Sequence, residues 1–348
     1  MSFIGNMSRR QALAMLASTP LIGQAGLARA QNASVEQLLA AAKKEGKVVV
    51  YSIFPQTVEA AMMAMYQQDT GITMEYSRIG GTNPTLQKFY TQEKVGQHLT
   101  DVIVLEKSAS IIMANDRLAA AYAPPVKSSI LPAFQSKDDF AHTAIASFQV
   151  VVYNKDLVKQ DQLPREWKDL AKPEFKNKIV VGSPENSGSV LVLIKTLVDM
   201  YGWDFIQALI SNGLIETTRE VEGADLVARG ERTVAVIAQT APAAQIKAGA
   251  PIGFHFPDRP VAVEFSASVP ANTPHPNAAR HFLNYMLSEK YQTRVVTDLG
   301  GYSVLPQVAP PAGLPPLASL KVEPFDYAAM LDVRDTILER WRTMMSKK

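Results

Sequence analysis

The sequence predicts an α/β protein of two units joined by two extended crossings, which leaves a hinge and a cleft between them. Three observations carry this expectation. Short, continuously apolar strands alternate with helical patterns from residue 35 onward, the sequence form of an α/β layer fold. Two longer extended segments, 144–154 and 261–269, interrupt the alternation where a chain would leave one unit and later return. The 348 residues, 47% of them hydrophobic, suffice for about two ordinary domains with filled cores.

In chain order, Val35, Leu38, Leu39 and Ala42 have helical spacing, and Gly46 stops that helix. A strand over 47–52 is followed by a helix over 58–68 that Thr57 is placed to cap, a strand over 72–77 and a helix over 86–95. A third apolar strand covers 100–105, and 107–115 reads as helix. After a proline-containing connection, the segment 144–154 enters the second unit. That unit holds a strand over 178–181, helices over 190–201, 203–211 and 223–228, a strand over 233–238 and a helix over 243–248. The segment 261–269 returns to helices over 274–288 and 289–299, a proline-rich loop over 306–316 and a last amphipathic helix over 327–345. The expected division is 31–148 with 265–348 as one lobe and 149–264 as the other.

The N-terminus reads as an address. Arg9 and Arg10 precede an apolar run to Leu27, and Ala28-Arg29-Ala30 follows as an Ala-x-Ala cleavage site. That is the plan of a secretory signal peptide over 1–30, and the paired arginines resemble a twin-arginine export signal. The product is expected in a bacterial periplasm. The whole chain carries a net charge of +2 with no Lys/Arg-rich run, so composition gives no reason to expect nucleic acid as a partner. Zero cysteines exclude disulfides, thiolate metal sites and cysteine nucleophiles. The five histidines show no paired zinc spacing, and there is neither a Gly-x-Ser-x-Gly elbow nor a phosphate-binding P-loop. No cofactor or metal is expected, and no catalytic set stands out.

The most informative stretch is Val180-Val181-Gly182-Ser183-Pro184-Glu185-Asn186-Ser187-Gly188-Ser189, a strand end and polar turn opening a helix. Free N–H groups and the positive end of the helix dipole make such a place attractive to an anion. The plainer alternative is that Ser187 or Ser189 is an N-cap.

That turn, the run Val152-Tyr153-Asn154-Lys155-Asp156-Leu157 with Pro164-Arg165-Glu166-Trp167, and His275-Pro276-Asn277-Ala278-Ala279-Arg280-His281-Phe282 together resemble one family. It is the periplasmic solute-binding proteins of ABC importers, in the subgroup with ferric-iron and sugar-phosphate binders. The resemblance covers nearly the whole chain after residue 30 and implies a two-lobed periplasmic-binding-protein fold, with the two crossovers as hinge. It implies that Trp167 and Phe282 pack and Asn277 caps. The family's iron binders typically carry adjacent tyrosines after the strand matching 233–238, where this chain has Gln239-Thr240-Ala241-Pro242. Ferric ion prefers anionic oxygen ligands, so the departure disfavours iron. Ser183-Pro184 stands where relatives often have Asp-Pro, which removes a negative charge from the cleft.

Candidate ligand-binding residues are Ser52 at the first strand end, Arg78, Gly81 and Thr82 after the second, and Ser108 after the third. Ser183, Ser187 and Gly188 in the central turn and Gln239 and Thr240 after the 233–238 strand complete the set. Hydroxyls, helix N–H groups and an arginine suit a small anionic solute such as a carboxylate, phosphate ester or phosphonate. The expected role is capture without a covalent step by a monomer that presents the closed form to an inner-membrane ABC permease. A ferric-iron binder, a periplasmic sensor subunit and a periplasmic enzyme are the alternatives.

Overall fold

The computed structural model describes residues 35–320 and 325–347, so the expected leader over 1–30 lies outside the described residues. Helix α1 (35–45) leads into β1 (Lys47–Ser52), α2 (Gln56–Thr70), β2 (Thr73–Ser77), α3 (Thr82–Lys94), β3 (Val102–Glu106), α4 (Lys107–Asn115) and the short β4 (Ala119–Ala120). The long β5 (His142–Asn154) precedes β6 (Ile179–Gly182), α5 (Gly188–Ser211), β7 (Ile215–Thr217), α6 (Glu220–Ala228), β8 (Val234–Ala238), α7 (Ala243–Lys247) and β9 (Ile252–His255). The chain continues through β10 (Val261–Pro270), α8 (Pro276–Met286), α9 (Glu289–Arg294) and α10 (Tyr327–Ser346).

These strands form one ten-stranded sheet in the order β2-β1-β3-β10-β5-β8-β6-β7, with β4 beside β10 and β9 beside β5. The apolar strands β3 and β8 are buried at every residue, as strands covered on both faces must be. The end strands β2 and β7 are half-buried and less apolar. The two expected crossings are β5 and β10, and they pair antiparallel with each other from Val261↔Gln149 to Ala267↔His142. Each then hands over to one side: β10 pairs with β3 through Phe265–Ser268, and β5 pairs with β8 through Gln149–Tyr153. A register shift between Phe265 and Ser266 marks the handover.

Local chemistry corrects several sequence expectations. Thr57 does not cap α2, which begins after Pro55, and the ring of that proline takes a position needing no donor. Asn277 lies inside α8 and does not cap it; Glu45 satisfies the helix start by accepting from the N–H groups of Asn277 (3.2 Å) and Ala278 (2.7 Å). The helices expected over 190–201 and 203–211 meet end to end in α5 at Gly202, whose φ of 77° and ψ of 174° break the helix between them. The last helix, which the sequence places with the first unit, meets Lys107 there, whose ammonium lies 5.6 Å from the Tyr327 ring, and also bonds to residues of the expected second unit. Tyr327 Oη accepts from Glu264 N at 3.1 Å, while Trp341 Nε1 donates to Glu216 of β7 and Arg342 Nε to Glu185, each at 2.9 Å.

Candidate functional site

A cavity of about 480 Å³ lies where strands β1, β2, β7 and β8 give way to their following helices. Ligands of open α/β sheets gather at such C-terminal strand ends, and the volume suits a small molecule. Between β2 and β6 the sheet order interposes β1, β3, β10, β5 and β8. The loops after β2 and β6 nevertheless touch. Asn83 Nδ2 donates to the carbonyl of Glu185, and a Cβ on Gly81 would overlap the carbonyl oxygen of Asn186. Only a sheet curled so that its far ends face each other permits this, and the cavity is the space enclosed. Phe54 and Phe265, edge to face at 5.9 Å, form part of its apolar lining.

Of the residues singled out from sequence, Arg78, Gly81, Thr82, Ser187 and Thr240 line the cavity together. Arg78 gives its Nε to the carbonyl of Ile53 at 3.1 Å, and among the described residues no carboxylate pairs with its guanidinium. The other lining arginine, Arg219, is held by Glu222 at 2.8 Å. Ser187 begins α5 but makes no capping bond to the helix. Its hydroxyl donates sideways to Glu220 of α6.

The remaining sequence candidates sit behind the cavity wall. Ser52 is fully buried, its Oγ accepting from Phe54 N at 3.2 Å and reaching Glu59, whose carboxyl burial pushes up to about 7 against that hydrogen bond. Ser108 is engaged with Glu106, the N-cap of α4. Burial pushes the Glu106 carboxyl up to about 7, partly offset by its bonds to Ser108. Gly188 lies against that same carboxyl. Ser183 is buried, and its carbonyl closes the turn by accepting from Asn186 N (3.2 Å) and Ser187 N (3.0 Å). Gln239 is buried and donates through Nε2 to the carbonyl of Gly300 at 2.9 Å.

The residue missing from the sequence reading is Glu220, in the first turn of α6. Its Oε1 accepts from Ala238 N at 2.7 Å and Gln149 Nε2 at 2.9 Å, and its Oε2 accepts from Ser189 Oγ at 2.5 Å and Ser187 Oγ at 2.8 Å. Gly182 makes room for it, since a Cβ there would stand 2.7 Å from Glu220 Cγ. Asp225 of α6 also lines the cavity and accepts from Gln245 Nε2 at 2.7 Å. The cavity therefore has a guanidinium on the β2 side and carboxylates on the α6 side. An acidic residue in a first helical turn is ordinary, so nothing local marked Glu220. The one available signal was Gly182, a side-chain-free strand end just before the polar turn.

Residues 45–293 match the profile of the family described as bacterial extracellular solute-binding protein. The chain belongs to that family. Its fold is the two-lobed one of periplasmic binding proteins: AfuA from Actinobacillus pleuropneumoniae, solved with exogenous fructose-6-phosphate bound, superposes with a TM-score of 0.78 at 20% identity over 86% of this chain and 99% of that one. Iron-bound HitA from Pseudomonas aeruginosa gives 0.74 at 19% identity over 86% and 99%. In sequence the chain is similar to the phosphoglycerate transport regulatory protein PgtC of Salmonella typhimurium, 23% identical over 272 residues. That match takes in 75% of this chain and 66% of the relative, just under two thirds of its length. Family and fold are those of substrate-binding proteins rather than enzymes.

Proposed function

We propose that this solute-binding protein is the capture subunit of an ABC importer, working as a monomer in the bacterial periplasm, and that its solute is a small anion. Residues 1–30 are the export leader. Residues 31–148 with 265–348 form one lobe and 149–264 the other, with α10 strapping both. Solute enters the cleft, the lobes close on it, and the closed form is what the inner-membrane permease reads. Closure is driven only by tighter binding to the closed state.

The observation that carries the anionic reading is Arg78, the cavity-lining guanidinium that no carboxylate neutralises among the described residues. A charge-assisted hydrogen bond to a desolvated anion contributes roughly 1.5–3 kcal/mol. Two or three such contacts contribute about 3–9 kcal/mol, against the roughly 8 kcal/mol of micromolar capture. The chemistry is exchange of the solute's water for protein donors, with no bond made or broken.

Thermal unfolding of the purified protein against phosphate esters, phosphonates, small carboxylates, polyamines and ferric ion tests this. A solute present at about 100 times its dissociation constant adds roughly 2.7 kcal/mol. The expected result is a rise in midpoint with one anionic class. A rise confined to ferric ion or a polyamine would overturn the anionic reading.

A further inference from the structure

The turn before α5 carries two cavity-lining hydroxyls whose protons are already committed. Ser187 Oγ and Ser189 Oγ stand 2.8 and 2.5 Å from Glu220 Oε2 and 2.7 Å from each other. Two hydroxyls own two protons, and a carboxylate oxygen only accepts. Two protons fill at most two of the three contacts, and each such arrangement uses both of them inside the triangle. What the triangle can still present to the cavity is lone pairs. A solute group meeting it must bring its own hydrogen, as a hydroxyl or an ammonium does. A bare anion there would face acceptors and a carboxylate.

Glu220 is fixed in this role from behind. Its Oε1 is held by Ala238 N and by Gln149 Nε2, and Gln149 is wholly buried. The absent side chain of Gly182 leaves the path its Cγ follows. Four donors and a glycine thus place one carboxylate in the cavity wall, where the start of a long helix would otherwise have welcomed a solute anion. Arg78 occupies the opposite side.

Resting on the anion-capture reading above, we propose that the solute has two unlike ends. An anionic group meets Arg78, and a hydroxyl or ammonium donor meets the Glu220–Ser187–Ser189 triangle. Glu220 is the residue that keeps the anion away from the start of α5 and so sets the orientation. A site built to accept from a donor discriminates strongly against the analogue lacking it, because its own polar groups are then left unpaired.

The test is calorimetric titration of the wild-type protein with matched pairs: propyl phosphate against glycerol 3-phosphate, and butyrate against 4-aminobutyrate. The donor-bearing member of at least one pair binds about tenfold tighter or more, and which pair responds names the donor as hydroxyl or ammonium. Glu220→Gln supplies a change of sign. Ala238 N and Gln149 keep the amide oxygen on their side, so the amide nitrogen replaces Oε2 and donates to the serines. Their protons are released to the cavity, and the donor-free anion then binds more tightly than it does to wild type. Ser187→Ala with Ser189→Ala in the Glu220→Gln background, which removes the hydroxyl lone pairs and the carboxylate together, abolishes the donor preference. Equal binding of both members of each pair, weakened alike by Arg78→Ala, would overturn this inference and leave anion capture standing. A donor preference untouched by Glu220→Gln and by the serine changes would overturn the assignment to the triangle. Binding of no member of any pair would overturn anion capture and this inference with it.

Discussion

The corners before α3 and α5 are built alike and end up electrically opposite. Each runs from a parallel strand through a glycine-containing turn into a helix whose first N–H groups lack intrahelical partners. At the corner before α3, Arg78 faces the cavity with no carboxylate beside it among the described residues. At the corner before α5, Glu220 arrives from α6 and takes both serine hydroxyls. A helix start favours negative charge in either place. In one corner the protein supplies that charge itself, and in the other a cation waits for the solute to supply it. A helix N-terminus thus marks where negative charge is stable, without saying whose charge it is.

The sharpest way to break the contrast is Glu220→Ala. It leaves Gln149 Nε2 and Ala238 N without their acceptor. At about 1–3 kcal/mol for each stranded donor, the loss is about 2–6 kcal/mol in urea unfolding. Unchanged stability would mean that the carboxylate does not hold this corner together.

A pH series probes the carboxyls packed behind the corners, Glu106 against Gly188 and Glu59 beneath Ser52. Burial raises both from 4.5 to about 7. In the fold they keep their protons up to about pH 7, while the unfolded chain releases them near the ordinary value. The stability these two carboxyls contribute is therefore fully present below about pH 4.5, falls as pH rises to about 7, and is flat above, while His142 and His281, held below their ordinary value by burial, contribute with the opposite sign. The fall is at most roughly 3 kcal/mol per group. Glu106→Gln and Glu59→Gln each flatten the profile. Glutamine variants whose profiles match wild type across this window would contradict the account.

Gly81→Ala acts on the meeting of the corners. The added Cβ overlaps the Asn186 carbonyl, which is backbone and cannot swing away. Overpacking of this kind costs about 1–3 kcal/mol, and here it falls on closure, weakening solute binding about ten- to hundredfold. The solute-free protein unfolds at nearly the same temperature. Full affinity in this variant would show that the corners do not meet in the bound state.

Much of the frame was legible in the chain. Apolar runs with clear stops put β1 at 47–52 and α4 at 107–115 as observed, and the two long extended segments are β5 and β10. The short strands β7 and β9 escaped notice because three or four half-buried residues give no period to read. Arg78, Ser187 and Thr240 could be placed on one cavity because each follows a strand end, where α/β sheets gather their loops. Ser52 and Ser108 also follow strand ends, yet their hydroxyls turn inward to nearby Glu59 and Glu106, a side-chain direction that position at a strand end does not reveal. Glu220 was hidden by distance along the chain. Its partners lie 31 and 33 residues away at the serines and 71 at Gln149, and no local pattern encodes such distances.

The most direct measurement is titration of wild type and Arg78→Ala with the anionic solute that raises the unfolding midpoint most, beside the unfolding of both proteins without solute. Arg78 is exposed and makes one hydrogen bond to the backbone, so its loss barely moves the solute-free midpoint. Loss of a charge-assisted contact to a desolvated anion weakens binding about 10- to 100-fold. That result is what the capture of an anion at the α3 corner predicts. Equal affinity in the two proteins would contradict it and remove Arg78 from the site.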